Sequence, residues 1–368
     1  MTRVCQFQIT TACVDEACLL HGLKGILRAT VNLPELPELV ALERIMELGA
    51  DHLQCSVVRR VSMPDGASYP IYSVMLGNPS PDVPAVGYFG GIHGLERIGS
   101  EVVIAYLQSL VMRLHWDSTL HRQLESVRLV FMPIVNPGGM GLSTRANPRG
   151  VDLMRNSPIS AIEPVPFMVG GQRWSARLPW YRGKEFDSME DENLAVCEIV
   201  ARELLPRPFS VAVDCHSGFG SRDRIWFPYA HTRAPIAHLA EIQALKNIFV
   251  QSNSNHRYIF EPQSLQYLAH GDLWDYLYHQ SCAQVGERVF LPLTLEMGSW
   301  LWVKKNPRQL FSRHGMFNPL IEHRQQRVLR QHQSFLDFVS RAACGYDRWL
   351  PSAEARPGLH AQALQDWY

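Results

Sequence analysis

Four short, nearly unbroken apolar runs constrain this chain more than any other feature. They are the run from Pro84 into Gly90-Gly91, Val127 to Val135, Phe209 to Cys215, and Val289 to Leu295. Such runs are the mark of strands covered on both faces, since a strand with one wet face would alternate apolar and polar residues. Helical patterns separate them. Ile98 to Leu114 carries an apolar stripe, and residues 319–341 form a closing amphipathic helix. Strands alternating with helices predict an α/β fold with a mixed, mostly parallel central sheet and helices on both faces. Upstream, residues 34–49 place Leu39, Leu42, Ile45 and Met46 on one helical face. Two β-type runs flank Pro64-Asp65-Gly66, which predicts a hairpin. Residues 1–69 are expected to be an accessory segment or small α+β domain, residues 70–345 the main domain, and residues 346–368 a tail.

The composition narrows the partners. The 368 residues are 46% hydrophobic and 19% charged, which excludes disordered and fibrous classes. With 35 Lys+Arg against 35 Asp+Glu the formal net charge is zero, so nothing general favours nucleic acid or an anionic membrane. No apolar run approaches the roughly 18 residues of a membrane span, and the N-terminal stretch lacks the apolar core of a secretory signal. Cysteines 5, 13, 18, 55, 197, 215, 282 and 344 are scattered without a C-x-x-C pair. They read as reduced thiols of a cytoplasmic protein, although Cys13 and Cys18 are close enough in sequence to pair.

In sheets of this kind, chemistry collects beyond the carboxyl ends of the strands. Three of the runs lead directly into suitable residues: His93-Gly94-Leu95-Glu96, Asp214-Cys215-His216-Ser217, and Thr294-Leu295-Glu296-Met297. Two histidines and a carboxylate, with one position left for water, make a common catalytic zinc set. A further carboxylate would serve the bound water as general base. His-x-x-Glu alone says little, because the chain holds a second copy, His238-Leu-Ala-Glu241, in a helical stripe where a solvated face is expected. The first copy differs in its glycine-rich strand-to-helix setting. Asp214 shares a strand face with His216 and is expected to support it.

Between the first two of these strand ends lies Asn136-Pro137-Gly138-Gly139, followed by Thr144-Arg145-Ala146-Asn147-Pro148-Arg149-Gly150-Val151-Asp152-Leu153-Met154-Arg155-Asn156. A loop with three arginines could be merely solvated. Facing a metal, one arginine would stabilise an oxyanion and another would grip a substrate carboxylate. Farther on, Trp174, Trp180 and Tyr181 interleave with Arg177 and Arg182 and are expected to rim a cleft.

Over residues 70–342 this order of motifs resembles the zinc carboxypeptidases of the carboxypeptidase A type. The resemblance implies one Zn2+ per chain, bound by His93, Glu96 and His216. It makes Glu296 the base, Arg145 the group polarising the scissile carbonyl, and Arg155 with Asn156 the binders of the substrate's terminal carboxylate. Tyr267-Leu-Ala-His-Gly271 matches the family's mobile-tyrosine segment, so Tyr267 would close over that carboxylate. Trp274, seven residues on, would line the side-chain pocket and disfavour basic C-terminal residues. One departure stands out: Met154 occupies the place of the family's asparagine and cannot hydrogen-bond a carboxylate as an amide does. The expected activity is hydrolysis of an amide bond next to a free carboxylate, as in a carboxypeptidase. An N-acyl amino acid deacylase and a zinc-bound but silent peptide-binding module are the rivals. The expected partner is a peptide or acyl-amino-acid substrate; oligomeric state is not readable.

Overall fold

The computed structural model describes residues 36–284, 286 and 288–368. Cys5, Cys13 and Cys18, expected as reduced thiols, and residues 1–35 of the N-terminal segment therefore lie outside the described residues. The predicted upstream helix is α1 (Pro37–Leu48), which buries Leu39, Leu42 and Ile45. The predicted hairpin is β1 (Gln54–Ser62) and β2 (Ser68–Gly77), paired antiparallel from Gln54↔Met75 to Ser62↔Ser68.

The chain continues through β3 (Ala85–Gly90), α2 (Arg97–Arg113), α3 (Ser118–Glu125), β4 (Arg128–Met132) and α4 (Pro137–Leu142). Next come α5 (Asp191–Glu203), β5 (Phe209–Ser217), β6 (Arg224–Phe227), α6 (Leu239–Ser252) and β7 (Ile259–Pro262). It closes with α7 (Leu273–Cys282), β8 (Val289–Met297), α8 (Trp300–Lys305), α9 (Glu322–Cys344), α10 (Tyr346–Trp349) and α11 (Arg356–Trp367). The strands form one mixed sheet in the order β1-β2-β4-β3-β5-β8-β6-β7. Its centre, β4-β3-β5-β8, is parallel, and these are the four apolar runs of the sequence.

Strand β3 explains why the runs lack polar alternation. Successive side chains point to opposite faces, and both faces are covered. Tyr88 reaches α9, where its hydroxyl donates to the Leu336 carbonyl (2.8 Å), while Phe89 packs edge-on against Trp274 of α7 at 5.0 Å. Both are fully buried, as are Val86, Leu129, Val211 and Leu291. Each such side chain contributes about 1.5–3 kcal/mol of burial free energy.

Two expected boundaries need correction. A break after residue 69 would cut β2, whose pairing with β4 makes the hairpin part of the central sheet; the compact unit spans Pro34–Tyr368. Residues 346–368 form helices rather than a tail. Trp367 is buried, packs against Phe227 at 4.8 Å and donates its indole N–H to the Phe260 carbonyl, while Arg356 pairs with Glu241. An apolar anchor at the chain's end is decisive, and the segment's polar average conceals it.

Candidate active site and metal centre

The central parallel strands deliver the chemistry side by side. His93 follows β3, Glu96 caps α2, and His216 and Glu296 are register partners near the carboxyl ends of β5 and β8. Direct partners on neighbouring parallel strands project from the same face, so topology alone places Glu296 beside His216.

The three expected metal ligands converge in a buried cluster, with ligand atoms within 4.8 Å of one another. Nδ1 of His93 lies 2.8 Å from Glu96 Oε1, and Nδ1 of His216 lies 3.0 Å from Glu96 Oε2. The other ring nitrogens meet buried carboxylates: His93 Nε2 is 3.2 Å from Asp152 Oδ1, and His216 Nε2 is 2.6 Å from Asp214 Oδ2. A carboxylate accepting the Nε2–H leaves the Nδ1 lone pair aimed at the centre, the arrangement that prepares histidine for a metal. Two imidazoles and one carboxylate directed at a common point fit zinc.

The electrostatics follow from burial working against pairing. Burial alone would raise Glu96 and Asp152, yet His93 and His216 hold Glu96, and Arg145 and His93 hold Asp152, below the usual carboxylate range. Burial opposes the charged imidazole of His216, but Asp214 and Glu96 raise its pKa. Glu296 goes the other way. Burial, then the neighbouring Glu96 charge, pushes its carboxyl up to about 8, although Oε1 accepts the Phe219 amide N–H at 3.0 Å. A cation held by the adjacent ligands would pull that value down towards the range a general base needs.

A cleft of about 310 Å³ opens onto this cluster. Arg145 lines it, with Nε donating to Asp152 Oδ2 (2.8 Å) and Nη1 to Glu96 Oε1 (3.1 Å), neither bond using Nη2. Arg155 also lines it and is 2% exposed. Its Nη1 donates to the Met154 carbonyl and its Nε to that of Val169, while Nη2 is buried without a partner. An unpaired guanidinium nitrogen beside a cleft calls for an anion. Tyr267 stands half-buried at the cleft, its ring 5.7 Å from Cζ of Arg155. Gly271, at φ +71°, is required here, because any Cβ would collide with the Arg155 carbonyl.

Two expected substrate contacts are placed elsewhere. Trp274 does not line the cleft. It lies behind the cluster, donating its indole N–H to Asp214 Oδ2 (2.8 Å), and so steadies the carboxylate that orients His216. Asn156 spends its amide on the loop, donating to the Arg182 carbonyl and accepting from the Glu190 N–H. Asp214 supports His216 as expected. Asp152 does the same for His93 and received no role from the sequence, where it is one acid within a basic loop. Trp180 reaches the cleft, as the rim reading expected, and Trp226, Phe219, Trp300, Met316 and Phe317 make the lining largely apolar.

The result is a mixed α/β sheet with a two-histidine, one-glutamate cluster, able to hold a metal ion, at its carboxyl edge. The zinc carboxypeptidase family model matches residues 61–300, and the chain belongs to that family. Among solved structures, thrombin activatable fibrinolysis inhibitor superposes with a TM-score of 0.62 at 19% identity, over 82% of this chain and 72% of that one. Carboxypeptidase A from Helicoverpa armigera gives 0.61 at 17% identity, over 90% and 80%. At these identities the likeness is one of fold. Among curated proteins, carboxypeptidase SOL1 of Arabidopsis thaliana is 33% identical over 75 residues, which is 20% of this chain and 15% of that protein. Carboxypeptidase D of Anas platyrhynchos is 24% identical over 161 residues, 40% of this chain and 10% of that protein. The chain thus matches only a small part of the length of these curated relatives.

Proposed function

We propose that this protein is a zinc-dependent carboxypeptidase that releases single C-terminal residues. The observation carrying this reading is Arg155, a buried cation with an unpartnered nitrogen on the wall of the same cleft as His93, Glu96, His216 and Glu296. Such a nitrogen suits the terminal carboxylate of a peptide, and with Met154 in place of an amide, Arg155 carries that recognition with Tyr267 closing over it. Zinc held by His93, Glu96 and His216 would acidify a water and polarise the scissile carbonyl. Glu296 takes the proton of the attacking water and returns it to the departing nitrogen. Arg145, fixed through Nε and Nη1, offers Nη2 to the carbonyl oxygen as it gains charge. The apolar lining, whose only carboxylates among the described residues are Glu96 and Glu296, favours uncharged aliphatic or aromatic C-terminal side chains over basic ones. The five described cysteines are free, which suits a reducing compartment such as the cytoplasm.

The test is incubation with a mixed library of peptides and N-acyl amino acids, with and without a zinc chelator, read by mass spectrometry. Chelator-sensitive loss of single C-terminal residues supports the proposal. Release of acyl groups alone would replace it with a deacylase, and zinc binding with no product would point to a silent binding module.

A further inference from the structure

A second concavity, of about 790 Å³, lies across a shared wall from the catalytic cleft. The wall is the loop after β5 together with residues 298–305. Gly218 and Trp300 face the cleft, whereas Arg222 and Leu301 face the second concavity. Trp300 binds the wall together, its indole N–H donating to the Gly218 carbonyl (2.9 Å) and its backbone N–H to that of Gly220 (3.0 Å).

The second concavity is strongly cationic. Arg222 comes from the loop after β5, Arg257 from the approach to β7, Lys305 from α8, and Arg324 and Arg327 from one face of α9. Among the described residues Asp223 is the single carboxylate lining it, and both its oxygens are engaged, by the Gly298 N–H (2.9 Å) and the Gln331 amide (2.6 Å). Five cations against one carboxylate leave a local excess of four positive charges in a chain whose formal net charge is zero. Among the described residues none of the five forms an ion pair, whereas neighbouring Arg224 is paired with Glu261 at 2.9 Å. Nη1 of Arg324 is buried with no hydrogen-bond partner. Unpaired guanidinium and ammonium groups gathered from four chain segments repel one another and are stabilised by an anion able to bridge them. An adjoining hollow of about 530 Å³ shares Arg257, Arg327 and Gln331 and continues past them along Ser252, Asn253 and Asn255, which lengthens the concavity into a groove with its cations at one end.

We propose that this groove binds a carboxylate-rich stretch of the peptide whose C-terminus enters the catalytic cleft, an inference that rests on the carboxypeptidase reading. An elongated groove beside the cleft suits an extended acidic chain better than a single phosphate, and carboxylates match the forked guanidinium donors.

The groove is tested first without catalysis. A fluorescent hexaglutamate with an amidated C-terminus, which offers no terminal carboxylate to Arg155, should bind the full-length protein and be released by ~0.5 M salt. The double variant R324E/R327E, and independently R222E on another element, should each weaken binding about tenfold or more. Equal binding of an amidated hexaserine, unchanged binding in both variants, or displacement by polyphosphate or single-stranded DNA at far lower concentration than hexaglutamate would overturn the assignment. Second, two peptides with the same C-terminal residue, one with upstream glutamates and one with upstream serines, should differ in KM. The ratio of their kcat/KM values should fall to about one in R324E/R327E, and no difference in the wild type would overturn the link to the cleft. Hexaglutamate binding without hydrolysis of any peptide would retain the groove and reject the carboxypeptidase reading, so the two failures are distinguishable.

Discussion

His93-Gly-Leu-Glu96 and His238-Leu-Ala-Glu241 share one spacing and have opposite fates. Burial does not separate their glutamates, for Glu96 is 2% and Glu241 5% exposed, which corrects the expectation that the second copy forms a solvated helix face. Partners do. Glu96 faces Nδ1 of both His93 and His216 and accepts from Arg145 and the Ser217 N–H, and three of those partners, His93, His216 and Arg145, are themselves held by buried carboxylates. Glu241 accepts from Arg356 at 2.8 Å, while Nδ1 of His238 lies 2.8 Å from the Tyr278 hydroxyl. Beyond the end of a central parallel strand, the next strand brings a second histidine alongside, with Glu296 in register beside it. At the start of α6 the neighbours are a tyrosine and an arginine, and no metal-binding set results. Spacing nominates a pair, and the adjacent element decides its chemistry.

The largest expected effect sharpens this contrast. Glu296→Gln should lower kcat by about 10²–10⁴-fold while leaving zinc binding in place, whereas Glu241→Gln should leave kcat within a fewfold of wild type. Zinc retention is read by elemental analysis beside steady-state kinetics, and a Glu296 variant keeping most of its turnover would remove that residue as the base. Next, zinc added to the metal-stripped protein should raise the Tm, with the gain lost in His216→Ala and kept in His238→Ala, as followed by calorimetry. A gain that survives in His216→Ala would break the comparison. Asp214→Asn should weaken zinc affinity about 10–100-fold by loosening the orientation of His216, measured by competition with a chelator.

The smallest effect concerns a carboxylate with no cation to rescue it. Glu192 is buried, with its own backbone amide and the Asn147 side chain (3.2 Å) as hydrogen-bond donors, and burial pushes its carboxyl up to about 7. Because the folded value exceeds the unfolded one, the stabilising contribution is present below about pH 4.5 and is lost as pH rises to about 7. The stability of Glu192→Gln relative to wild type should therefore increase by about 1–3 kcal/mol across that window and stay level above it, by denaturant titration. A flat difference would mean that Glu192 is not held protonated in the fold.

Much of the site was legible because its residues sit where linear patterns change. His93, His216 and Glu296 each terminate an apolar run, and the end of a buried strand is where side chains reach solvent. Arg145 and Arg155 stood out as charges in a Pro- and Gly-rich loop. Trp274 was misplaced because a count of seven residues from Tyr267 says nothing about which side of α7 faces the cleft, and Phe89 and Asp214 claim its ring and its N–H. Asn156 was misread because its amide satisfies loop backbone between residues 182 and 190, whose approach is not local in sequence. Strands β6 and β7, four residues each, are too short to leave a period.

The sequence by itself determined the sheet's centre, its two-sided burial, and the set of groups carried to its carboxyl edge. All of these depend on the order of residues along single strands. The tertiary structure decided which carboxylate serves which histidine, that Trp274 stands behind the metal-ligand cluster, that Arg155 keeps one nitrogen for an anion, and that five cations gather unpaired across the wall from the cleft. Those outcomes depend on distances between segments far apart in the chain, which hydrophobic burial of the whole domain sets and no local pattern encodes.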